Sequence, residues 1–357
     1  MTWAEAFPST PFCPHIRVWI YLNLLMEYIS WDKTIQTFGD MDYSPTTTKS
    51  GGHLPTPPRS INDSPPANTG KLNLNPDAET ILSISTTFFS NAHHRARQPD
   101  IALLSTDSVY FYVHSDVLLK ASNNQFRGII PTKILRDEDE EQPVFAVPES
   151  SSVLNVLLHA IYELSCAHYA PPFDTLVAAV EAMPVYGVDV KATIKPSAPL
   201  FNLLLSQAPL FPFQLYALAA QHDLFDLAVP TSSHLLAVPL SRLTDELAER
   251  MGAVYLKRLL FLHSGRTEAL KRILGAAPHP HPPTANCDFP AQKSVGRAWA
   301  LATAYLMWDI RPDLSTRTLD SALRPLGEHL ACEDCKNALG QRVKNLVVEW
   351  SMVKRTI

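Results

Sequence analysis

The sequence predicts an α+β fold: a short sheet flanked by helices, followed by an all-α C-terminal region. Three observations point there. Asp100–Ser105 and Val109–His114 are apolar runs separated by Thr106, Asp107 and Ser108, a polar tight turn, so they read as a β-hairpin. From Glu149 onward the apolar residues recur at helical spacing, first at Leu154, Leu157, Leu158 and Ile161. Beyond Leu200 that spacing continues almost to the end of the chain.

Residues 1–77 read as a disordered leader with a short apolar N-terminal segment. Residues 41–78 are rich in Ser, Thr, Pro, Asn and Gly and bury too little apolar surface to offset chain entropy. Their Ser-Pro and Thr-Pro steps suit phosphorylation. The apolar run Val18–Ile29 is about 12 residues long, short of the roughly 20 that span a bilayer. Only Arg17 precedes it as a basic residue, and Ser30-Trp31-Asp32 is a poor cleavage site, so it reads as an amphipathic or buried helix rather than a signal peptide. Met26 and Met41 are alternative natural starts.

A first ordered domain is expected over 78–195. Ile81–Phe89 fits neither period clearly. His93, His94, Arg95 and Arg97 read as a solvated loop. After the hairpin, Ser115 or Asp116 is expected to cap a helix with Val117, Leu118 and Leu119 on its apolar face. Phe126 is expected to begin a second helix. Residues 131–142 carry an acidic run, read as an exposed loop. Val144–Pro148 reads as a strand and Glu149–Leu164 as a helix. Phe173, Leu176, Val177 and Val180 mark a further helix, which Pro184 ends or kinks. Tyr186–Val190 leads into one more short helix.

A helical extension follows over 196–275, with helices at Phe213–His222, Leu240–Glu249 and Gly252–Leu262. Residues 276–290 read as a Pro/His linker, and 291–357 as a C-terminal helical region. In that region Leu339, Val343, Leu346, Val347 and Trp350 form one stripe, expected in a core.

The order strand, turn, strand, helix, helix over 99–130 resembles the opening of the BTB/POZ domain, a protein-interaction module. Asp100, Phe111, Val113, His114, Val117, Leu118, Leu119, Ala121, Ser122 and Phe126 fit that family's pattern. The third strand and paired helices continue it, with Ile161-Tyr162 at the end of the third helix and Tyr186-Gly187-Val188 near the close. Met183-Pro184 departs from the pattern. The resemblance covers about residues 95–195, and the tail with Leu215–Ala219 and Leu256–His263 looks like the helical tails of fungal BTB proteins.

The resemblance implies a fold signature at Asp100, Phe111, Val113, His114 and Tyr162. It also implies an interaction face at Val117, Leu118, Phe126, Ile129 and Ile130, through which the chain pairs with itself or with another protein. Strand exchange by Ile81–Phe89 would accompany self-pairing. The alternative it implies is a substrate adaptor that bridges to a cullin, with residues 200–357 holding the substrate, although nothing here resembles kelch blades or zinc fingers.

Composition sets the remaining bounds. A net charge of −5 argues against a nucleic-acid partner, and no membrane partner is expected. Five cysteines are too few for a secreted disulfide scaffold, which favours a reducing compartment, cytoplasm or nucleus. No G-x-S-x-G, phosphate-cradling loop or H-E-x-x-H occurs, so no catalytic residue is assigned and the chain reads as non-enzymatic. His114 beside Asp116 reads as a structural corner rather than an acid–base pair. No cofactor is assigned apart from a candidate structural zinc. Cys332-Glu-Asp-Cys335 has the spacing with which one turn presents two thiolates to one metal, and Cys287, His279, His281 and His329 are candidates to complete it. A pair of half-buried thiols at a helix start and a redox pair are the competing readings. Glu333 and Asp334 are expected to raise the thiolate pKa.

Overall fold

The computed structural model describes residues 83–131 and 142–357. The leader expected over 1–77 and the acidic run at 136–141 lie outside the described residues. The described residues form a mixed α+β structure with one four-stranded sheet and twelve α-helices.

The sheet comprises β1 (Ser83–Ile84), β2 (Ile101–Leu104), β3 (Val109–Val113) and β4 (Val144–Ala146), in the order β1-β3-β2-β4. β2 and β3 are the expected antiparallel hairpin, with Leu103 opposite Phe111 and Ile101 opposite Val113. β4 pairs parallel to β2 and β1 parallel to β3. Alternation explains the register: Ile101, Leu103, Phe111 and Val113 are all buried. The turn is anchored rather than free. The Asp107 carboxylate accepts from the Ser151 backbone N–H at 2.7 Å, and so caps the next long helix.

α1 (Ser115–Ala121) follows β3 directly. The expected second helix is α2 (Gln125–Gly128), a single left-handed turn in which Gln125, Phe126, Arg127 and Gly128 all have positive φ, between 53° and 70°. Phe126 therefore sits inside a left-handed turn and does not start a right-handed helix. Such a backbone costs an L-residue about 1–2 kcal/mol. Two things offset this cost: the Asn124 side chain accepts from the Arg127 N–H at 2.8 Å, and the fully buried Phe126 ring packs 4.5 Å from Tyr186. α3 (Ser151–Ile161), α4 (Phe173–Val185) and the short α5 (Val190–Thr193) complete the first part. Pro184 stands one residue before the end of α4.

The turn after α4 explains the Tyr186-Gly187-Val188 stretch. Ser122 Oγ donates to the Tyr186 carbonyl at 2.7 Å, Asn124 Nδ2 donates to the Val185 carbonyl at 3.0 Å, and the Asn123 N–H donates to the Gly187 carbonyl at 2.9 Å. Gly187 has φ +70°, and a Cβ there would lie 2.5 Å from the side-chain oxygens of Asn123 and Asn124. Only glycine fits this approach.

The helices α6 (Pro199–Ser206), α7 (Pro212–Gln221), α8 (Phe225–Leu235) and α9 (Asp245–Gly275) follow. Thr244 caps α9, and Gly252, with φ 66° and ψ 166°, breaks it where two helices were expected. One hydrophobic core runs from Phe88 to Leu259 and crosses the expected 195/196 boundary without interruption. The reason is α7: Leu215 to Ala219 are buried on every face, so this helix serves as the centre of the core rather than as an appendage.

A second core starts in the far half of α9, at Leu270, Ile273 and Leu274, and is completed by α10 (Phe289–Trp308), α11 (Thr316–Leu323) and α12 (Glu333–Met352). α10 starts at Phe289, inside the expected 276–290 linker, because Asp288 caps it by accepting from the Ala291 N–H at 2.9 Å. The stripe of Leu339, Val343, Leu346 and Trp350 is buried as expected, with Val347 packed at its edge.

Two buried arginines close the helix ends reciprocally. Arg266 of α9 donates to the carbonyls of Pro312, Val353 and Lys354 at 2.7–2.9 Å and lies over the Trp350 ring at 4.1 Å. Arg342 of α12 donates to the Ile273 and Ala276 carbonyls at the end of α9. Each helix thus supplies the cation that satisfies the other's terminal carbonyls. No helix among the described residues is long and apolar enough to cross a membrane.

Candidate metal centre

Cys332 is the residue before the first turn of α12 and Cys335 lies within that turn, so both thiols gather at one helix start. The segment before α10 brings the other groups. Thr284 and Cys287 exchange two backbone hydrogen bonds, at 3.0 and 3.2 Å, in a tight turn that presents the Cys287 side chain. His281 stands among Pro280, Pro282 and Pro283, whose fixed φ angles stiffen the approach.

The result is a group of one nitrogen and three sulfurs, from His281, Cys287, Cys332 and Cys335, with all ligand atoms within 4.8 Å of one another. Cys287 Sγ lies 3.7 Å from Cys335 Sγ, and His281 Nε2 lies 3.3 Å from the sulfurs of both Cys332 and Cys335. Tetrahedral zinc, with its usual bond lengths, sets sulfurs about 3.8 Å apart and a sulfur about 3.5 Å from a nitrogen. His281 Nδ1 is 2.7 Å from the Pro282 carbonyl, which can only accept. That bond places the hydrogen on Nδ1 and leaves the Nε2 lone pair aimed at the sulfurs, the usual outer contact of a ligating histidine. Cys287 and Cys335 are buried, whereas Cys332 and His281 are half-buried. The group could hold a metal ion.

The electrostatics correct one expectation. Glu333 and Asp334 do not raise the Cys332 thiol. The Cys335 backbone N–H, in the first turn of α12, leads the causes that draw it down to about 7. Burial pushes Cys335 up to about 12 and also raises Cys287. Cys332 is thus the thiol that ionises most readily, while burial favours the neutral form of the two deeper ones, and a metal ion beside them would offset that.

Cys332, Cys335 and Cys287 are therefore brought together, and His281 joins them, while His279 and His329 are not part of the group. The spacing His281-x5-Cys287 was visible in the sequence, but it carried no signal until the chain placed it beside the start of α12.

The residues of the fold signature meet in two cross-links. The Asp100 carboxylate accepts from the Ser115 N–H at 2.7 Å and from Ser115 Oγ at 2.6 Å. The N-cap of α1 is His114, and neither Ser115 nor Asp116 fills that position. Asp100 captures a free amide of the first turn from the neighbouring strand. The Tyr162 hydroxyl accepts from the His114 N–H at 2.8 Å and lies 2.9 Å from His114 Nδ1, while His114 Nε2 lies 2.8 Å from the Arg97 carbonyl. The pattern closes with Nε2 donating to Arg97 and the phenol donating to Nδ1. Burial raises the Tyr162 pKa, which keeps the phenol a donor. Phe111 and Val113 are buried sheet residues.

The expected interaction face is corrected. Val117, Leu118, Phe126 and Ile130 are buried within the first core and have no surface to offer, and Ile129 is half-buried against it. α1 turns its apolar residues Val117 and Leu118 inward, and they belong to the same buried cluster as Phe111 and Val113 of the sheet. The expected solvated loop is also partly packed: the His94 ring lies against Phe88 and Tyr162.

No protein-family model, curated protein or solved structure matches this chain. Fold and site together define an α+β chain with a histidine–three-cysteine group able to hold a metal ion.

Proposed function

We propose that this chain is a non-enzymatic protein-interaction protein, a BTB/POZ-like module continued by helices, whose C-terminal part is held by one structural zinc ion. The strongest support is the set of four ligand atoms within 4.8 Å of one another, among which one sulfur–sulfur and two sulfur–nitrogen distances lie close to those around a tetrahedral zinc. Four protein ligands fill the coordination sphere of zinc, and a filled sphere leaves no position for substrate, so the role is structural. The ion ties the 276–288 segment to the start of α12, two stretches that share few apolar contacts around Cys287, Val295 and Cys335.

The module reading is supported by the element order β2, β3, α1, α2, β4, α3, α4 and by the Asp100–Ser115 and His114–Tyr162 cross-links, which give the shared residues a physical reason to occur together. In this reading the chain associates with itself or with a partner protein in the cytoplasm or nucleus.

Metal analysis of protein purified without added metal tests the zinc site. About one zinc per chain is expected, with a sharp loss in Cys332→Ser and a lowered melting temperature in chelator. Metal-free protein whose melting ignores both zinc and chelator refutes the site. Affinity purification of the full chain tests the interaction reading. Recovery of a second copy supports self-association, recovery of a cullin promotes the adaptor alternative, and a chain that is monomeric with no specific partner refutes the reading.

A further inference from the structure

The three sulfurs of the ligand group differ in how solvent reaches them. Cys287 is 3% and Cys335 6% exposed, whereas Cys332 is half-buried at the surface. A cavity of about 170 Å³ lies beside the group. Cys335 is one of its walls, together with His281, Phe289 and Gln292, and Cys287 is not. A molecule the size of hydrogen peroxide therefore meets Cys332 from the surface and Cys335 from the cavity.

The sulfurs also differ in what holds them. Cys332 and Cys335 both ride on the start of α12, which is closed by its own hydrogen bond from the Lys336 N–H to the Cys332 carbonyl at 3.1 Å. Helical geometry sets α-carbons three residues apart about 5 Å from one another, inside the roughly 4.4–6.8 Å that a disulfide spans. Cys287 has its Sγ 3.7 Å from that of Cys335 but arrives on a separate segment, 48 residues away in the chain. The small cluster of Cys287, Val295 and Cys335, with Leu330 and Cys332 at its edge, is the apolar packing at that junction. Without an ion, Cys332 and Cys335 stay neighbours, while Cys287 depends on this packing to reach them.

We propose that the metal centre is a reversible redox latch: a hydroperoxide oxidises Cys332 and Cys335 to a disulfide, the ion leaves, and the 276–288 segment is freed from the start of α12. The inference rests on the zinc reading and adds a regulation to it. The Cys332 thiolate attacks one peroxide oxygen, the O–O bond breaks, hydroxide leaves, and Cys332 carries a sulfenic acid. The Cys335 thiolate then attacks that sulfur, so that the S–S bond forms, the S–O bond breaks and a second hydroxide leaves. The two sulfurs have given up one electron each, and the peroxide has taken both. His281 and Cys287 alone do not fill a tetrahedral sphere, so the ion dissociates and the Cys287 thiolate takes up a proton. A dithiol reductant returns two electrons to the disulfide and restores the site. Transient oxidation of this kind is the usual form of disulfide in a reducing compartment.

Peroxide treatment of the full-length, zinc-loaded chain, with a colorimetric zinc indicator present, tests this. Metal content before treatment decides the zinc reading, and the response to peroxide decides the latch. Release of about one zinc per chain is expected. Peptide mass mapping should show Cys332 joined to Cys335 and the loss of two hydrogens. Hydrogen exchange should quicken at the Thr284 and Cys287 amides, which bond each other's carbonyls, and slow again after dithiothreitol and zinc. Metal-stripped Cys287→Ala should still form the same link, whereas Cys335→Ala should not and should gather oxygen on Cys332; circular dichroism checks that each folds. The map of the parent chain stands by itself if either variant fails to fold. A zinc-loaded chain that keeps its ion under peroxide, or that loses it with Cys287 in the disulfide or with Cys332 carried to a sulfinic acid, overturns the latch and leaves the zinc site standing. A chain with no zinc at the outset overturns both.

Discussion

Replacing Tyr162 by Phe removes one oxygen and nothing else. The ring keeps its packing, 5.3 Å from Phe88 and 6.0 Å from His94. The oxygen serves two groups of a residue 48 positions away: the buried His114 N–H and His114 Nδ1. An orphaned buried donor costs about 1–3 kcal/mol, and the ring nitrogen adds a further but smaller loss, so the variant should lose roughly 2–4 kcal/mol. Urea denaturation, followed by far-ultraviolet circular dichroism, reads this as a lower midpoint at unchanged slope. Repeating the change in a His114→Leu background divides the effect. The part that persists belongs to the backbone N–H, which Leu retains, and the part that vanishes belongs to the ring. A loss below about 0.5 kcal/mol, the scale of an ordinary surface substitution, would refute the claim that this oxygen joins β3 to α3.

Gly187→Ala should cost about 2–4 kcal/mol, because it adds a left-handed alanine and a Cβ pressed on Asn123 and Asn124; a midpoint equal to the parent would show that the Ser122–Asn124 turn can move away. Arg342→Met keeps the apolar stem and strips the donors from the Ile273 and Ala276 carbonyls, so a loss near 3 kcal/mol is expected in the chemical denaturation curve, and an increase in stability would contradict it. Burial depresses the pKa of His159, His222 and His263 in the folded chain. The unfolded chain therefore binds more protons as the pH falls past 6.5, the ordinary value of a histidine, and stability should be full above that pH and decline below it. Metal-stripped protein with a flat or rising urea midpoint between neutral pH and pH about 5.5 would break that linkage.

Much of the fold could be read in the chain because the signals were local. The hairpin announced itself by alternation and a polar turn, and the Leu339–Trp350 stripe by its helical period. What escaped was non-local or conformational. Phe126 follows Asn-Asn-Gln, and no period in the sequence distinguishes a left-handed turn from the start of a helix; the turn exists because Asn124 and Tyr186 hold it. The α1 face was legible as apolar, but apolarity alone does not say whether a core or a partner covers it. The metal group was half legible: the two-residue spacing of Cys332 and Cys335 is local, while His281 and Cys287 arrive from about fifty residues upstream through packing. The cap of α1 was missed for the same reason, since Asp100 reaches it from another strand.

α9 belongs to both cores. Met251, Tyr255 and Leu259 face the first, and Leu270, Ile273 and Leu274 face the second. Between Leu259 and Leu270 the backbone is unbroken helix, so the two halves of the molecule share one screw. Deleting a single residue there would turn one half against the other by about 100° and draw them about 1.5 Å closer. Length in this rod is therefore an angular setting, and insertions should be tolerated near multiples of a turn before they are tolerated singly.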